Sequence, residues 1–213
     1  MTLYCDVDGT LLDSSARHEQ LLRDLLAERK LLWPDTAPDY LAYKADGHST
    51  FAWLAAVGFT AEQCNEISAA WRKNIEAPAY QAMDHLYPDA IPFLKTMKKE
   101  AIPVALVSAR QQPEKLCHML ERCGVLLLVE ELIVVSPLHA TEEKICALRT
   151  RVQPGDRVVG DTEADRDCAE ALHLPYAMLD RGFRSKAYWK ASGVQSFHDL
   201  TEVQGWINTQ KKG

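Results

Sequence analysis

The chain has 213 residues, of which 47% are hydrophobic, 25% charged and 8% aromatic, a balance that fits a globular protein with its own core and excludes disordered or collagenous material. Its 24 Lys and Arg against 30 Asp and Glu leave a formal charge of -6, so the basic footprint of a nucleic-acid binder is missing, as is the polybasic stripe of a membrane-surface protein. The most apolar stretch, 125–135, is interrupted by Glu130 and Glu131 and is far too short to cross a bilayer. No basic-then-apolar leader follows Met1, and the six cysteines (Cys5, Cys64, Cys117, Cys123, Cys146 and Cys168) show neither a C-x-x-C pair nor zinc spacing. A reducing, cytoplasmic setting is expected, with no nucleic-acid or membrane partner.

The chain opens with a short strand, 3–5, running into Asp6-Val7-Asp8-Gly9-Thr10. A helical block follows. Asp13 and Ser14 can cap a helix with Leu21, Leu22, Leu25, Leu26 and Leu32 at three- and four-residue spacing, ended by Trp33-Pro34. Segments 40–45 and 50–57 read as short helices stopped by Gly47 and Gly58. Thr60 and Gln63 form a capping-box pair that starts a longer helix, broken at Pro78, and 79–83 reads as a last short helix. From there helix and strand alternate: helix 90–99, strand 102–107 ending at Ser108, a helix opened by Pro113, strand 132–135, helix 141–151, strand 157–159, helix 165–172 and a last strand 176–179. Such repeats imply an α/β fold, a Rossmann-like parallel sheet with helices on both faces. The helical block, 14–84, is then a cap inserted into a core made of 1–13 and 85–213.

Ligands of open parallel sheets bind at the carboxyl ends of the strands. The polar residues expected there are Asp6 and Asp8, Ser108, and Asp161 with Asp165, while Lys144 on an intervening helix can point to the same edge. Carboxylates from two strands make an all-oxygen site suited to Mg²⁺. A lysine and a hydroxyl opposite would hold phosphate oxygens, the backbone N–H groups near Val7, Asp8 and Ala109 would add an anion-binding nest, and Gly9 would let the chain turn sharply out of its strand.

Asp6-Val7-Asp8-Gly9-Thr10, Ser108 after an apolar strand, Lys144, and Gly160-Asp161-Thr162-Glu163-Ala164-Asp165 resemble, in order and spacing, the four motifs of the haloacid dehalogenase-like (HAD) hydrolase superfamily. The helical block resembles its C1 cap, as in phosphoglycolate phosphatase-like and phosphomutase-like members. The resemblance implies that Asp6 is a nucleophile forming a phosphoaspartate and Asp8 the acid and base for leaving group and water. It implies Mg²⁺ held by Asp6, the Asp8 main-chain carbonyl and Asp161, phosphoryl oxygens held by Ser108 and Lys144, and Thr10 steadying Asp8. Asp165 either orients Lys144 or a metal-bound water, or only caps the following helix.

An acid at Asp8, absent from dehalogenases and phosphonoacetaldehyde hydrolases, implies a phosphate-ester leaving group. The expected activity is a phosphoric monoester hydrolase acting on a small phosphorylated metabolite. The alternatives are a sugar phosphomutase of the same fold (β-phosphoglucomutase-like) and a non-catalytic phosphate-ester-binding protein. Lys44 and His48, in the cap segment that closes over the pocket in such proteins, either contact the leaving group or are ordinary surface residues. Arg72 and Arg110 are further specificity candidates; Ala109-Arg110 stands where many relatives carry a polar residue after the motif-two Ser or Thr. Cys5 reads as core packing, as do Trp33, Trp53, Trp71 and Tyr80 within the cap. A monomer or weak homodimer is expected.

Overall fold

The computed structural model describes residues 1–210. Its elements are β1 (Leu3–Cys5), β2 (Leu12–Asp13), α1 (Ser15–Glu28), α2 (Tyr40–Ala45), α3 (Thr50–Ala56), α4 (Ala61–Asn74), α5 (Pro78–Gln81), β3 (His85–Leu86), α6 (Ala90–Lys99), β4 (Val104–Ala109), α7 (Pro113–Arg122), β5 (Glu131–Val135), α8 (Ala140–Leu148), β6 (Arg157–Gly160), α9 (Glu163–Ala171), β7 (Tyr176–Leu179), α10 (Lys186–Ala191), β8 (Ser196–Phe197) and α11 (Leu200–Gln210). No helix among these residues is long and apolar enough to cross a membrane.

Six strands form one parallel sheet in the order β5-β4-β1-β6-β7-β8. Pleat alternation sends successive side chains of β1 to opposite faces. Leu3, Cys5 and Val7 join one buried cluster with Leu94 and Met97 of α6, Leu116 and Leu120 of α7 and Val203 and Ile207 of α11. Tyr4 joins the other, with Leu148 of α8 and Cys168 and Ala169 of α9. The sheet is therefore covered on both faces, as its continuous apolar strands require, and Cys5 is core packing.

β8 and the helices α10 and α11 lie beyond the last element expected from the sequence. β8 is two residues long, too short to show a period. The first long helix ends at Glu28, short of Leu32: Lys30 takes a positive φ of 57°, and the N–H groups of Leu31 and Lys30 donate back to the carbonyls of Leu26 and Ala27. Leu32 is exposed.

Helices α1 to α5 surround a third core that includes Leu21, Leu22, Leu25, Trp53, Leu54 and Ile67. Its entry is capped by the Asp13 carboxylate, which accepts the Ser15 N–H at 2.9 Å, and α4 starts with the expected capping box, Gln63 and Thr60 exchanging bonds at 2.9 and 3.3 Å. Trp53 is fully buried, its ring set against Trp33 and Tyr40 and its Nε1–H donated to the Pro38 carbonyl at 2.9 Å. The chain leaves the sheet and returns to it through the antiparallel pair β2–β3. Trp53→Ala should cost about 3–5 kcal/mol in urea unfolding, because it opens a cavity and orphans a buried carbonyl.

Candidate active site

β1 lies between β4 and β6, and the strand order switches direction there. That geometry leaves a crevice at the carboxyl ends of these strands. Asp6 follows β1, its N–H fixed to the Val159 carbonyl at 2.8 Å. Ser108 sits in β4, Asp161 follows β6, Lys144 comes from α8 and Asp165 from the first turn of α9. The Lys144 Nζ donates to Asp6 Oδ1 at 2.7 Å and to Asp165 Oδ1 at 2.5 Å. Asp165 Oδ2 accepts the Thr162 N–H and hydroxyl at 3.1 and 2.9 Å. Asp165 thus caps α9 and orients Lys144 at once.

The Ser108 hydroxyl and the Asp161 Oδ1 are both buried without a hydrogen-bond partner. Ala109 closes β4 beside Val135. Thr10 is buried, but its hydroxyl has no partner, and it acts through its carbonyl, which accepts from Arg181 Nη2 at 2.8 Å.

Asp161 is held from two sides. Its Oδ2 accepts the Phe183 N–H at 2.6 Å, and a Cβ on Gly9 or on Gly182 would come within 2.1 Å of the same oxygen. Gly9 also has a φ of 78°, a left-handed conformation that glycine adopts without strain. One oxygen each from Asp6, Asp161 and Asp165 can lie within 4.8 Å of the others. An all-carboxylate set with an unpartnered buried oxygen fits a hard divalent cation.

Burial pushes Asp6 well above the ordinary carboxylate range, and the Asp165 and Asp161 charges add to it against the pull of Lys144. Burial, then the Asp165 charge, pushes Asp161 up to about 8. Lys144 moves the other way from what burial alone would do, because Asp165 and Asp6 hold its proton well above the usual lysine value.

Asp8 belongs to a different charge system. Both its oxygens lie on guanidinium groups: Oδ2 accepts from Arg110 Nε at 2.8 Å, and Oδ1 from Arg110 Nη2 at 2.6 Å and Arg17 Nη2 at 2.7 Å. Asp84, with a fully buried side chain, approaches the same arginines at 3.2 and 3.4 Å. Burial would raise Asp8, but Arg110 and Arg17 overcome it and hold Asp8 well below its ordinary value. Asp84, more deeply enclosed, is pushed up to about 6.

Arg17 and Asp84 were not among the residues expected from the sequence. Arg17 does carry a signal: it stands four residues before Leu21 and eight before Leu25, on the buried stripe of α1. A charged residue on such a stripe needs a buried partner.

A cavity of about 800 Å³ adjoins Asp8 and Ala109 between the helices α1 to α5 and the sheet. Arg110 and Arg72 line it, Arg72 from the exposed side of α4. Trp71, expected as core, packs on the cap core and also lines this cavity, with His18 edge-on at 5.0 Å and stacked on Phe183 at 4.4 Å. The half-buried Lys44 has its Nζ 5.2 Å from the Trp71 ring centre and 5.9 Å from that of Phe183, and burial, then Arg184, lowers it to about 8. His48 is exposed and stacks on Tyr43 at 4.2 Å.

Residues 1–148 match the family model of the haloacid dehalogenase-like hydrolases. Among solved structures the fold is similar to a haloacid dehalogenase-like family hydrolase from Streptococcus pneumoniae (19% identity, TM-score 0.76, 97% of each chain covered). It is also similar to a candidate phosphoglycolate phosphatase from Lactobacillus delbrueckii (16% identity, TM-score 0.76, 97% of each chain). A candidate β-phosphoglucomutase from Thermotoga maritima matches at 14% identity and TM-score 0.64, over 100% of this chain and 99% of the other. No curated protein matches the sequence.

The raised Asp161 has a consequence for cation binding. With its value near 8, the cation-free protein holds a proton at neutral pH that a divalent cation must displace. Calorimetry near pH 6.5 in buffers of different ionisation heat should show net proton release, and affinity should fall as the pH is lowered below 8; binding without release would mean that Asp161 is already ionised. Gly182→Ala, whose Cβ displaces the Asp161 carboxylate, should weaken cation binding about 10–100-fold in the same titration.

Proposed function

The chain belongs to the haloacid dehalogenase-like hydrolases, and on the geometry of its site we propose that it is a cytoplasmic, Mg²⁺-dependent phosphatase that hydrolyses a small phosphorylated metabolite through a phosphoaspartate at Asp6. The observation that carries this reading is the arrangement around Lys144. Its ammonium fixes one oxygen of a buried carboxylate, with the unpartnered Ser108 hydroxyl at the end of the adjacent strand. Such a set can present a nucleophile and hold the oxygens of the group it attacks.

In this reading an Asp6 oxygen attacks phosphorus and the bond to the leaving oxygen breaks, with Asp8 delivering a proton to that oxygen. Water then attacks the phosphoaspartate, Asp8 takes the water's proton, and the bond between Asp6 and phosphorus breaks to release inorganic phosphate. Ser108 and Lys144 donate to the phosphoryl oxygens throughout. Asp6, Asp161 and the Asp8 main-chain carbonyl would hold Mg²⁺, which when bound supplies positive charge between the anionic nucleophile and the phosphoryl group. The arginines hold Asp8 ionised, so to act as the acid it must leave them, take up a proton and turn toward the ester oxygen.

The cap is drawn down on the site by bonds that would exclude bulk water during transfer. The Ser185 N–H donates to the Ala45 carbonyl at 2.8 Å, and Glu76 accepts the N–H groups of Gln111 and Gln112 at 2.7 and 2.9 Å. Purified protein should release inorganic phosphate from an aryl phosphate in Mg²⁺ and stop in EDTA. Asp6→Asn should lower kcat by about 10³-fold or more. Full activity in that variant, or isomerisation of a hexose phosphate with no phosphate released, would overturn the reading.

A further inference from the structure

The charge cluster around Asp8 is incompletely paired within itself. Arg17 and Arg110 give their short bonds to Asp8, at 2.7 Å from Arg17 and at 2.6 and 2.8 Å from Arg110. Asp84, its side chain fully buried, lies beside the same two guanidiniums. Arg17 Nη1 stands 3.2 Å from Asp84 Oδ2 without hydrogen-bond alignment, and Arg110 Nη2 reaches that oxygen only at 3.4 Å, longer than a good hydrogen bond. The other oxygen, Asp84 Oδ1, is buried with no partner, and so is Arg17 Nε.

Buried donors and a buried acceptor left unsatisfied in one cluster are costly on both sides. Asp84 is also the less compensated of the two acids: burial outweighs the arginines there and holds it at about 6, whereas the same arginines overcome burial at Asp8. The topology gives each arginine a choice. Arg17 lies in α1, four residues beyond β2, and Asp84 directly precedes β3, so both flank the antiparallel pair that joins the helical block to the sheet. Asp8 and Arg110 follow β1 and β4 of the sheet itself. Each guanidinium therefore has one carboxylate on its own side of the junction and one across it.

We propose that Asp84 is a positioning residue for the acid step: when Asp8 leaves Arg17 and Arg110 to serve the ester oxygen, the Asp84 carboxylate takes over their bonds. The inference rests on the phosphatase reading for the role of Asp8. Without a second counter-ion, the departure of Asp8 leaves two buried guanidiniums unpaired, which is strongly unfavourable. With Asp84 in place, the bonds that Asp8 gives up are replaced inside the cluster, and Asp84 Oδ1 gains the donor it lacks. Asp84 makes no bond to the substrate and acts only through the freedom it gives Asp8.

The test separates a leaving group that needs a proton from one that does not. Phenethyl phosphate releases a strongly basic alkoxide and depends on the acid, whereas 2,4-dinitrophenyl phosphate releases a stable anion. In Asp84→Asn, isosteric but uncharged, kcat/KM should fall by about 100-fold or more for the alkyl ester and by about threefold at most for the dinitrophenyl ester. The ratio kcat/KM reports transfer to Asp6, so slow hydrolysis of the phosphoaspartate does not mask the difference. An equal loss on both esters assigns Asp84 a merely structural role, and no loss on the alkyl ester means that the arginines need no second partner; either result overturns the proposal.

A crystal structure of Asp8→Ala reads the exchange without turnover and serves equally if Asp84→Asn does not fold. Asp84 Oδ1 should then accept from Arg17 or Arg110 at about 3.2 Å or less; an oxygen still without a partner overturns the proposal. If the wild type hydrolyses neither ester but Asp84 holds the arginines in that crystal, the phosphatase reading fails while the exchange of partners stands. If both esters turn over and Asp84→Asn treats them alike, the phosphatase reading stands and this proposal fails.

Discussion

One ammonium among three buried carboxylates governs this structure. Lys144 bonds Asp6 and Asp165 directly, and Asp161 stands beside them with an oxygen that nothing in the chain satisfies. Each buried charge carries a desolvation penalty of several kcal/mol, and a single lysine offsets only part of it. The excess must be met by protons or by a cation, which is why Asp6 and Asp161 both hold their protons more tightly than an exposed aspartate. A site so arranged is left with negative charge in excess of what the chain's own cations neutralise, which suits it to a cation. The parallel strands keep it from relaxing, since Asp6 and Asp161 follow neighbouring strands whose register is fixed by β1 and β6.

Asp6 and Asp8 stand two residues apart and are pushed in opposite directions. The cause is the company each keeps: Asp6 meets more carboxylates than ammonium groups, and Asp8 meets two guanidiniums. Two neighbouring acids are thereby left in opposite charge states by their surroundings alone. The state of Asp8 depends on the helical block, because one of the two guanidiniums on it, that of Arg17, comes from α1. Asp8 is therefore set by a part of the chain that packs around a core of its own.

Most of the sheet-edge chemistry was legible in the sequence for a simple reason. Asp6, Ser108 and Asp161 stand at or just beyond the ends of apolar runs, and a parallel sheet brings such ends to one edge whatever the loops between them do. Lys144 and Asp165 required only that their helices pack beside that edge. The second charge system was not legible, because Asp84 and Arg110 meet Arg17 only after a helical block has folded, and no local period links them. Arg17 itself was readable as a charge on a leucine stripe. Arg110 follows Ser108 by two residues, the spacing that keeps a side chain on the same side of an extended chain. The Phe183 N–H and the closeness of Gly182 to Asp161 are backbone facts, and sequence pattern does not encode which loop will lie against a carboxylate.

Beyond the stack of His18 on Phe183, the seam between the helical block and the sheet is largely polar. Ser185 reaches Ala45, Arg184 reaches the Lys44 carbonyl at 3.2 Å, Gln111 donates through its side chain to the Arg72 carbonyl at 2.8 Å, and Glu76 binds two N–H groups. The apolar side chains instead form separate clusters on each side. The difference matters for access to the cavity. Parting an apolar interface returns hydrophobic surface to water at a cost that grows with area, whereas parting these hydrogen bonds exchanges each for one to water at about 0.5–1.5 kcal/mol. The chain thus concentrates much of its stability in cores on either side and leaves many of the seam contacts to bonds that solvent can replace, while the buried Arg17–Asp8 ion pair crosses the same seam and ties Asp8 to the position of the helical block.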